Sequence, residues 1–183
     1  MSREVWKTYE ENLLTHSAAH YLMTIHELLE TNGYARVTDI AKRLNITRGS
    51  CSISLKPLKK RGLVVEDQNK FLSLSDEGRR MALVVEKNDE LLETFFRDVL
   101  GVDGDQSEID ACKIEHLLSL ETSVKLCTFI EFLKTDNKVA KDFLRQLRKN
   151  ASSCCNDQQS CPMCRNECVL EPITKRMPAR KSA

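Results

Sequence analysis

The chain has 183 residues, 41% of them hydrophobic and 30% charged, and its 28 Lys and Arg nearly balance 27 Asp and Glu. Six Gly and four Pro are few for a turn-rich β protein and favour a mainly helical fold. The opening residues MSREVWKTYEENLLTHS contain no apolar run, and no stretch approaches the roughly 18 apolar residues of a membrane span. The expected location is therefore the cytoplasm, where the 8 Cys are thiols or metal ligands rather than disulfides.

Charge is unevenly placed. From Arg36 to Arg61 there are eight basic residues and one acid, Asp39, whereas Asp76 to Asp136 holds fifteen acids against seven bases. A basic module facing nucleic acid, joined to an acidic one that attracts cations, fits this separation. A solvated basic face is the plain alternative.

In chain order, apolar residues from Trp6 and Tyr9 through Leu13, Tyr21, Leu22, Ile25 and Leu28 predict a helix over 5–31, closed by Asn32-Gly33. His20 and Met23 share a face of it. Thr38 is the expected cap of a short helix through Leu44, and Asn45-Ile46-Thr47 is a tight turn. A second helix follows from about Gly49 to Arg61. Helix, turn and basic helix make a helix-turn-helix pattern. Arg48, Gly49, Ser50, Ser52, Ile53 and Ser54 lie where a recognition helix enters the major groove, and Lys56, Lys59, Lys60 and Arg61 where phosphates run. Arg36 and Thr38 are further candidate DNA contacts. Pro57 is expected to kink or loosen this helix. Residues 63–75 alternate as a hairpin around Asp67-Gln68-Asn69, a wing whose Lys70 is placed to meet the phosphate backbone. An αα-hairpin that binds no DNA is the alternative.

Residues 76–100 predict a strongly amphipathic helix with Asp89 and Glu93 on one face. Gly101 to Gly104 form a turn, and residues 108–133 predict a further helix. Its first turns read DACKIEH, so Cys112, Glu115 and His116, at spacings i, i+3 and i+4, stand on one face. Residues 138–149 predict a last, shorter helix. The surplus of apolar helix surface points to a subunit interface. The tail from Asn150 carries Cys154, Cys155, Cys161, Cys164 and Cys168, then a basic, Pro-containing end expected to be disordered. Cys51 and Cys127 read as small packing residues on helix faces.

Three predicted helices thus each offer ligands on one face: His20 with Met23, Asp89 with Glu93, and Cys112 with Glu115 and His116. At this point the sequence resembles the diphtheria toxin repressor and manganese transport regulator family of metal-dependent repressors. The matching stretches are HYLMTIHELLETNGYARVTDIAKRL, KRGLVVED, DEGRR, DELLETFFRDVLGV and IDACKIEHLLSLE, together roughly residues 18–135. The resemblance implies a winged-helix domain (1–75) followed by a helical metal-binding and dimerisation domain (76–149); the Cys-rich tail (150–183) lies outside it. It implies a homodimer on a palindromic operator, with Fe²⁺ or Mn²⁺ as corepressor. No SH3-like third domain is expected, since few residues follow position 150.

Carried over by position, the resemblance places ligands at His20, where relatives have Met or Asp, and at Met23, where the manganese branch has Glu. It places Asp89 where many members have His, and Glu93 on a carboxylate used in a second site. Cys112 matches the iron-branch Cys, Glu115 and His116 match a pair found in both branches, and Glu108 falls on an ancillary position. Imidazole, thiolate and carboxylate suit Fe²⁺, Co²⁺ or Zn²⁺ better than an all-oxygen set does, so Fe²⁺ is the expected ion ahead of Mn²⁺. No nucleophile–base pair or phosphate-cradling Gly loop points to an enzyme. The tail pattern CC-x5-C-x2-C-x3-C offers a second metal, Zn²⁺ or an iron–sulfur cluster, and with it an alternative: a redox- or cluster-sensing regulator.

Overall fold

The structure, a computed structural model, describes residues 14–150. Trp6, Tyr9 and Leu13 of the expected first helix, and all five tail cysteines, lie outside the described residues.

Helix α1 spans His16–Asn32. It begins at His16 because Thr15, in an extended conformation, accepts a hydrogen bond from Ala18 N through its Oγ1 at 3.2 Å. The helix expected over residues 5–31 is corrected at residues 14 and 15, which are not helical. Gly33 ends α1 at φ 76°, with its N–H donated to Leu29 O at 3.0 Å, a conformation that costs a side-chain-bearing residue and is free to Gly.

Helix α2 (Val37–Arg43) starts one residue before the expected cap. Arg36 holds the cap position without a side-chain hydrogen bond, and Thr38 lies in the first turn. Asn45 turns the chain at φ 53°, an angle Asn tolerates. Helix α3 (Arg48–Lys60) is capped by Thr47 Oγ1, which accepts from Ser50 N at 3.1 Å. Pro57 does not interrupt it: Arg61 N still reaches Pro57 O at 2.9 Å. The bond that Pro57 cannot make falls on Ile53, which is 66% exposed, so the vacated carbonyl lies on the side of the helix that water reaches.

Strands β1 (Val64–Glu66) and β2 (Leu72–Leu74) pair antiparallel, Val64 with Leu74 and Glu66 with Leu72. Asp67 Oδ1 accepts from Asn69 N at 2.9 Å and from Phe71 N at 2.8 Å and so fastens the connecting turn. Leu72 N bonds to Ala35 O, which ties the hairpin back to the α1–α2 connection. Leu22, Ile25, Ile40, Leu55, Leu58, Leu63 and Leu72, all fully buried, form the core under these elements. Cys51 belongs to that core, as expected, but Cys127 is exposed, a correction to its reading as a packing residue.

Helix α4 (Asp76–Thr94) is capped by Ser75 and packs along α1. Gly78 lets the first turn of α4 lie against the backbone entering β1, because a Cβ there would lie 2.2 Å from Leu63 O. The helix expected over 76–100 changes character near its end: Phe95–Val99 form a π-helical turn, with Leu100 N bonded to Phe95 O at 3.1 Å. Gly101 at φ 72° turns the chain, and Asp103 caps α5 (Gly104–Ile114).

The single helix expected over 108–133 is corrected to two. Chain order is α5, a 3₁₀ turn at Glu115–Leu117, an extended Leu118, and α6 (Leu120–Lys134). Asn88, buried on α4, donates from Nδ2 to Glu115 O at 2.8 Å and satisfies a carbonyl that the ended helix leaves open. Ser119 starts α6 by accepting from Thr122 N at 3.2 Å.

The chain divides into two compact units, residues through Lys134 and residues from Thr135 onward. Within the second, α7 spans Lys138–Asn150, close to the expected 138–149. No helix among the described residues is long and apolar enough to cross a membrane.

Candidate metal centre

The break between α5 and α6 decides the shape of the site. Cys112 remains on α5, whereas Glu115 and His116 occupy the tight turn after it, so the motif wraps a corner instead of lining a straight helix. That corner faces the start of α1. Cys112 Sγ lies 3.3 Å from His20 Nε2. The donor atoms of His16, His20, Cys112 and Glu115 all lie within 4.8 Å of one another. The His16 ring stands edge-on to His20, with centroids 4.4 Å apart, and 5.3 Å from the His116 ring.

Polar atoms here lack ordinary partners. Glu115 is 1% exposed, and its Oε1 finds no hydrogen-bond partner; neither does the buried His116 Nδ1. A buried carboxylate oxygen left unpaired is costly. Burial, and then Asp89 beside it, push the Glu115 carboxyl up to about 8. Burial also raises Asp89, helped by Glu93 and Glu108 and opposed by the hydrogen bond it shares with Glu115. Burial raises the Cys112 thiol, and Glu115, Asp89 and Glu108 add to the rise. His20 is lowered by burial and then by His16, against the pull of Asp89; His116 is lowered by burial, His16 and His20. Neutral imidazoles, a thiol and carboxyls pressed toward their protonated forms are the signature of donor groups crowded without a counter-charge. A divalent cation reverses that logic by favouring every deprotonated donor. The residues therefore fit a metal ion.

Of the ligands carried over from the resemblance, the structure gathers His20, Cys112 and Glu115 directly, with Asp89 touching Glu115 and His116 beside His16. Met23 packs against the core and lines a cleft with His20. Glu93 is ion-paired with Arg97, and Glu108 is exposed, felt at the site through its charge. His16 was missed. Its signal was present in the sequence as a second imidazole one turn before His20. Asn88 was missed as well, and as a lone buried amide it offered no sequence signal.

The candidate DNA-facing residues gather on one module. Gly49, Ser50, Ile53, Lys56 and Lys60 are exposed on α3, with Arg48 at its start; Ser52 is half-buried. Two lysines have partners within the module. Lys59 is hydrogen-bonded to Glu66 on β1, and Lys70 Nζ lies 3.5 Å from the same carboxylate, so both are partly occupied with the wing itself. Arg36 stacks its guanidinium 4.2 Å from the centroid of Phe71. Thr38 is exposed on the first turn of α2.

Two family models match the chain: the iron dependent repressor N-terminal DNA binding domain over residues 13–72, and the iron dependent repressor metal binding and dimerisation domain over residues 75–144. The HTH-type transcriptional regulator MntR of Bacillus subtilis (strain 168) is 30% identical over 137 residues, covering 75% of this chain and 95% of that protein. Among solved structures, a manganese-dependent transcriptional repressor in complex with manganese is 29% identical, with a TM-score of 0.53 over 62% of this chain. The T. acidophilum IdeR structure is 24% identical, with a TM-score of 0.52 over 65% of this chain. The chain spans about half the length of these two solved proteins, 53% and 55%. A winged helix-turn-helix joined to a helical metal-binding and dimerisation domain, matched across both halves, places this chain in the iron-dependent repressor family, as a metal-dependent, DNA-binding transcriptional repressor.

Proposed function

We propose that the chain is a homodimeric repressor of metal-homeostasis genes that reads a palindromic operator and takes Fe²⁺ as its corepressor. The observation that carries the choice of ion is the approach of Cys112 Sγ to His20 Nε2, 3.3 Å apart on different elements. A thiolate beside an imidazole is a softer donor pair than Mn²⁺ favours. The manganese-dependent relative supports the competing reading, Mn²⁺, and a direct comparison of the two ions separates them.

The ligands come from α1, inside the DNA-binding domain, and from the α5 corner, inside the following domain. His20, Cys112 and Glu115 would hold the ion, with Asp89 supporting Glu115 and His116, next to Glu115 in the turn, lying beside the set. When bound, the metal supplies the positive charge that pairs these donors and ties the two segments together. Only the arrangement in which both segments present their donors gains from binding, so binding favours that arrangement. A fixed α1 in each protomer sets the distance between the two α3 helices, and hence the half-site spacing.

Ile53 offers an apolar surface suited to a thymine methyl, and Ser50 offers a hydroxyl to base edges. Lys56 and Lys60 lie along the phosphate path.

The test is operator binding under anaerobic conditions, on duplexes selected from a random pool, with Fe²⁺, Mn²⁺ or chelator. Fe²⁺ is expected to promote binding at lower concentration than Mn²⁺, and the reverse order overturns the choice of ion. His20→Ala, which removes the α1 side of the pair with Cys112, should abolish metal-dependent binding with an unchanged circular dichroism spectrum; retained binding sinks the coupling scheme.

A second measurement addresses the lysines. Neutralising Lys60 should lower the slope of log K against log salt by about 0.9. Neutralising Lys59 should change the slope by less, because Lys59 is engaged by Glu66, so the double variant falls short of the roughly 1.8 that two free phosphate contacts give. A full drop of about 1.8 shows that Lys59 leaves Glu66 for DNA.

A further inference from the structure

We propose that His16 is itself a metal ligand, giving this centre a compact donor set of two imidazoles, one thiolate and one carboxylate that discriminates against Mn²⁺. The inference rests on the site reading above and adds to it a residue that the family's motif does not include.

His16 is held by two features. Thr15 caps α1, which fixes His16 as the first helical residue. One turn later on the same face comes His20, so both imidazoles project toward the α5 corner. The four donor atoms lie within 4.8 Å of one another. Ligands held tetrahedrally at about 2.0–2.3 Å lie roughly 3.3–3.8 Å apart, so the widest pair must close by about 1 Å on binding.

The carboxylate member points independently to a ligand. Glu115 is 1% exposed, yet its Oε1 has no hydrogen-bond partner. His16 is exposed and would close the solvent side of the set. Asp89, Glu93, Glu108 and His116 stand outside these four. Four donors that include sulfur and two nitrogens match the tetrahedral preference of Zn²⁺ and Co²⁺ and are accepted by Fe²⁺. Mn²⁺ prefers six, mostly oxygen, ligands. His16 thus turns a site of mixed character into one for borderline ions.

The experiment titrates the full-length reduced chain with Co²⁺ in the absence of oxygen. Spectra are read as differences from Cys112→Ser, so that contributions from the tail cysteines cancel. Wild type should show a sulfur-to-cobalt charge-transfer band and the intense visible bands of four-coordinate Co²⁺. His16→Ala should retain the charge-transfer band, lose the four-coordinate pattern, and bind Co²⁺ at least about tenfold more weakly, since loss of even an outer partner costs that much. Its Mn²⁺ affinity should fall by less, narrowing the preference. His16→Phe keeps a ring against His20 and His116 but has no donor. If either variant matches wild type in spectrum and affinity, His16 is a packing residue and the inference fails. If the Cys112→Ser difference itself shows no charge-transfer band, the site reading fails, whatever the His16 variants do.

Discussion

Held free of metal by a chelator at pH 8, Glu115→Gln is expected to melt above the wild type, while losing metal-dependent operator binding altogether. The carboxyl is buried beside Asp89, and its Oε1 has no partner. Its folded-state value is raised to about 8 from an ordinary carboxylate value, so the group contributes stability only while protonated. That contribution is fully present below the ordinary carboxylate range and is lost as pH rises through about 8. The glutamine amide keeps the shape, carries no charge, and can donate to Asp89. The gain should be on the order of 1 kcal/mol, or about 2–4 °C for a chain of this size. The difference should close near pH 4, where both side chains are neutral. Melting curves with chelator at the two pH values check the sign. A variant that melts lower than wild type at pH 8 overturns the account of Glu115 as an unrelieved buried charge. Residues selected for a ligand reduce stability until the ligand arrives, which is why one substitution should raise stability and remove the response together.

The largest loss of stability is expected from Gly78→Ala. Gly78 lies in the first turn of α4, and its missing Cβ leaves room for Leu63 O, which a Cβ would approach to 2.2 Å. Leu63 C would lie at 3.0 Å, so the obstacle is backbone and no side chain can rotate away. The same carbonyl accepts from Ser75 N at 3.0 Å, and Ser75 Oγ caps the helix by accepting from Gly78 N. Any shift that relieves the clash therefore disturbs the cap and the entry to the wing together. The cost should reach about 3 kcal/mol or more, the upper range for overpacking, and lower the melting temperature by roughly 6–12 °C. Ala82, one turn on and also buried, is a useful contrast: Ala82→Gly should cost only about 1 kcal/mol through helix propensity. Similar losses for the two variants show that α4 can lift from Leu63 freely.

The helix-turn-helix and wing were legible because their signals are local. Thr47, the turn at Asn45, the basic run on α3 and the Asp67 turn each act within a few residues, where propensity and capping decide conformation. Pro57 leaves α3 unbroken. Its effect depends on which side of the helix loses the bond, and that is set by packing against Leu55 and Leu58. The straight helix expected over 108–133 breaks for a reason that is likewise not local. Its periodicity continues through Glu115–Leu117, but Asn88, far away in sequence, accepts the burden of an ended helix, and Ser119 restarts it. Arg97 likewise claims Glu93, and Glu66 claims Lys59, through pairs that spacing alone does not rank.

Residue types along the chain set the class of the protein and the kinds of donor it can offer a metal. The order of basic module, amphipathic helices and the Cys112, Glu115, His116 motif specifies a metal-responsive DNA-binding chain, because residue type sets what can bind a cation or a phosphate. Which donors meet was decided only by the tertiary structure. Ligand atoms must converge to within a few ångströms, and that depends on where helices stop: on Thr15 placing His16 at the head of α1, and on the corner after Ile114 turning Glu115 inward. Composition names the candidate ligands, while the ends of two helices choose among them.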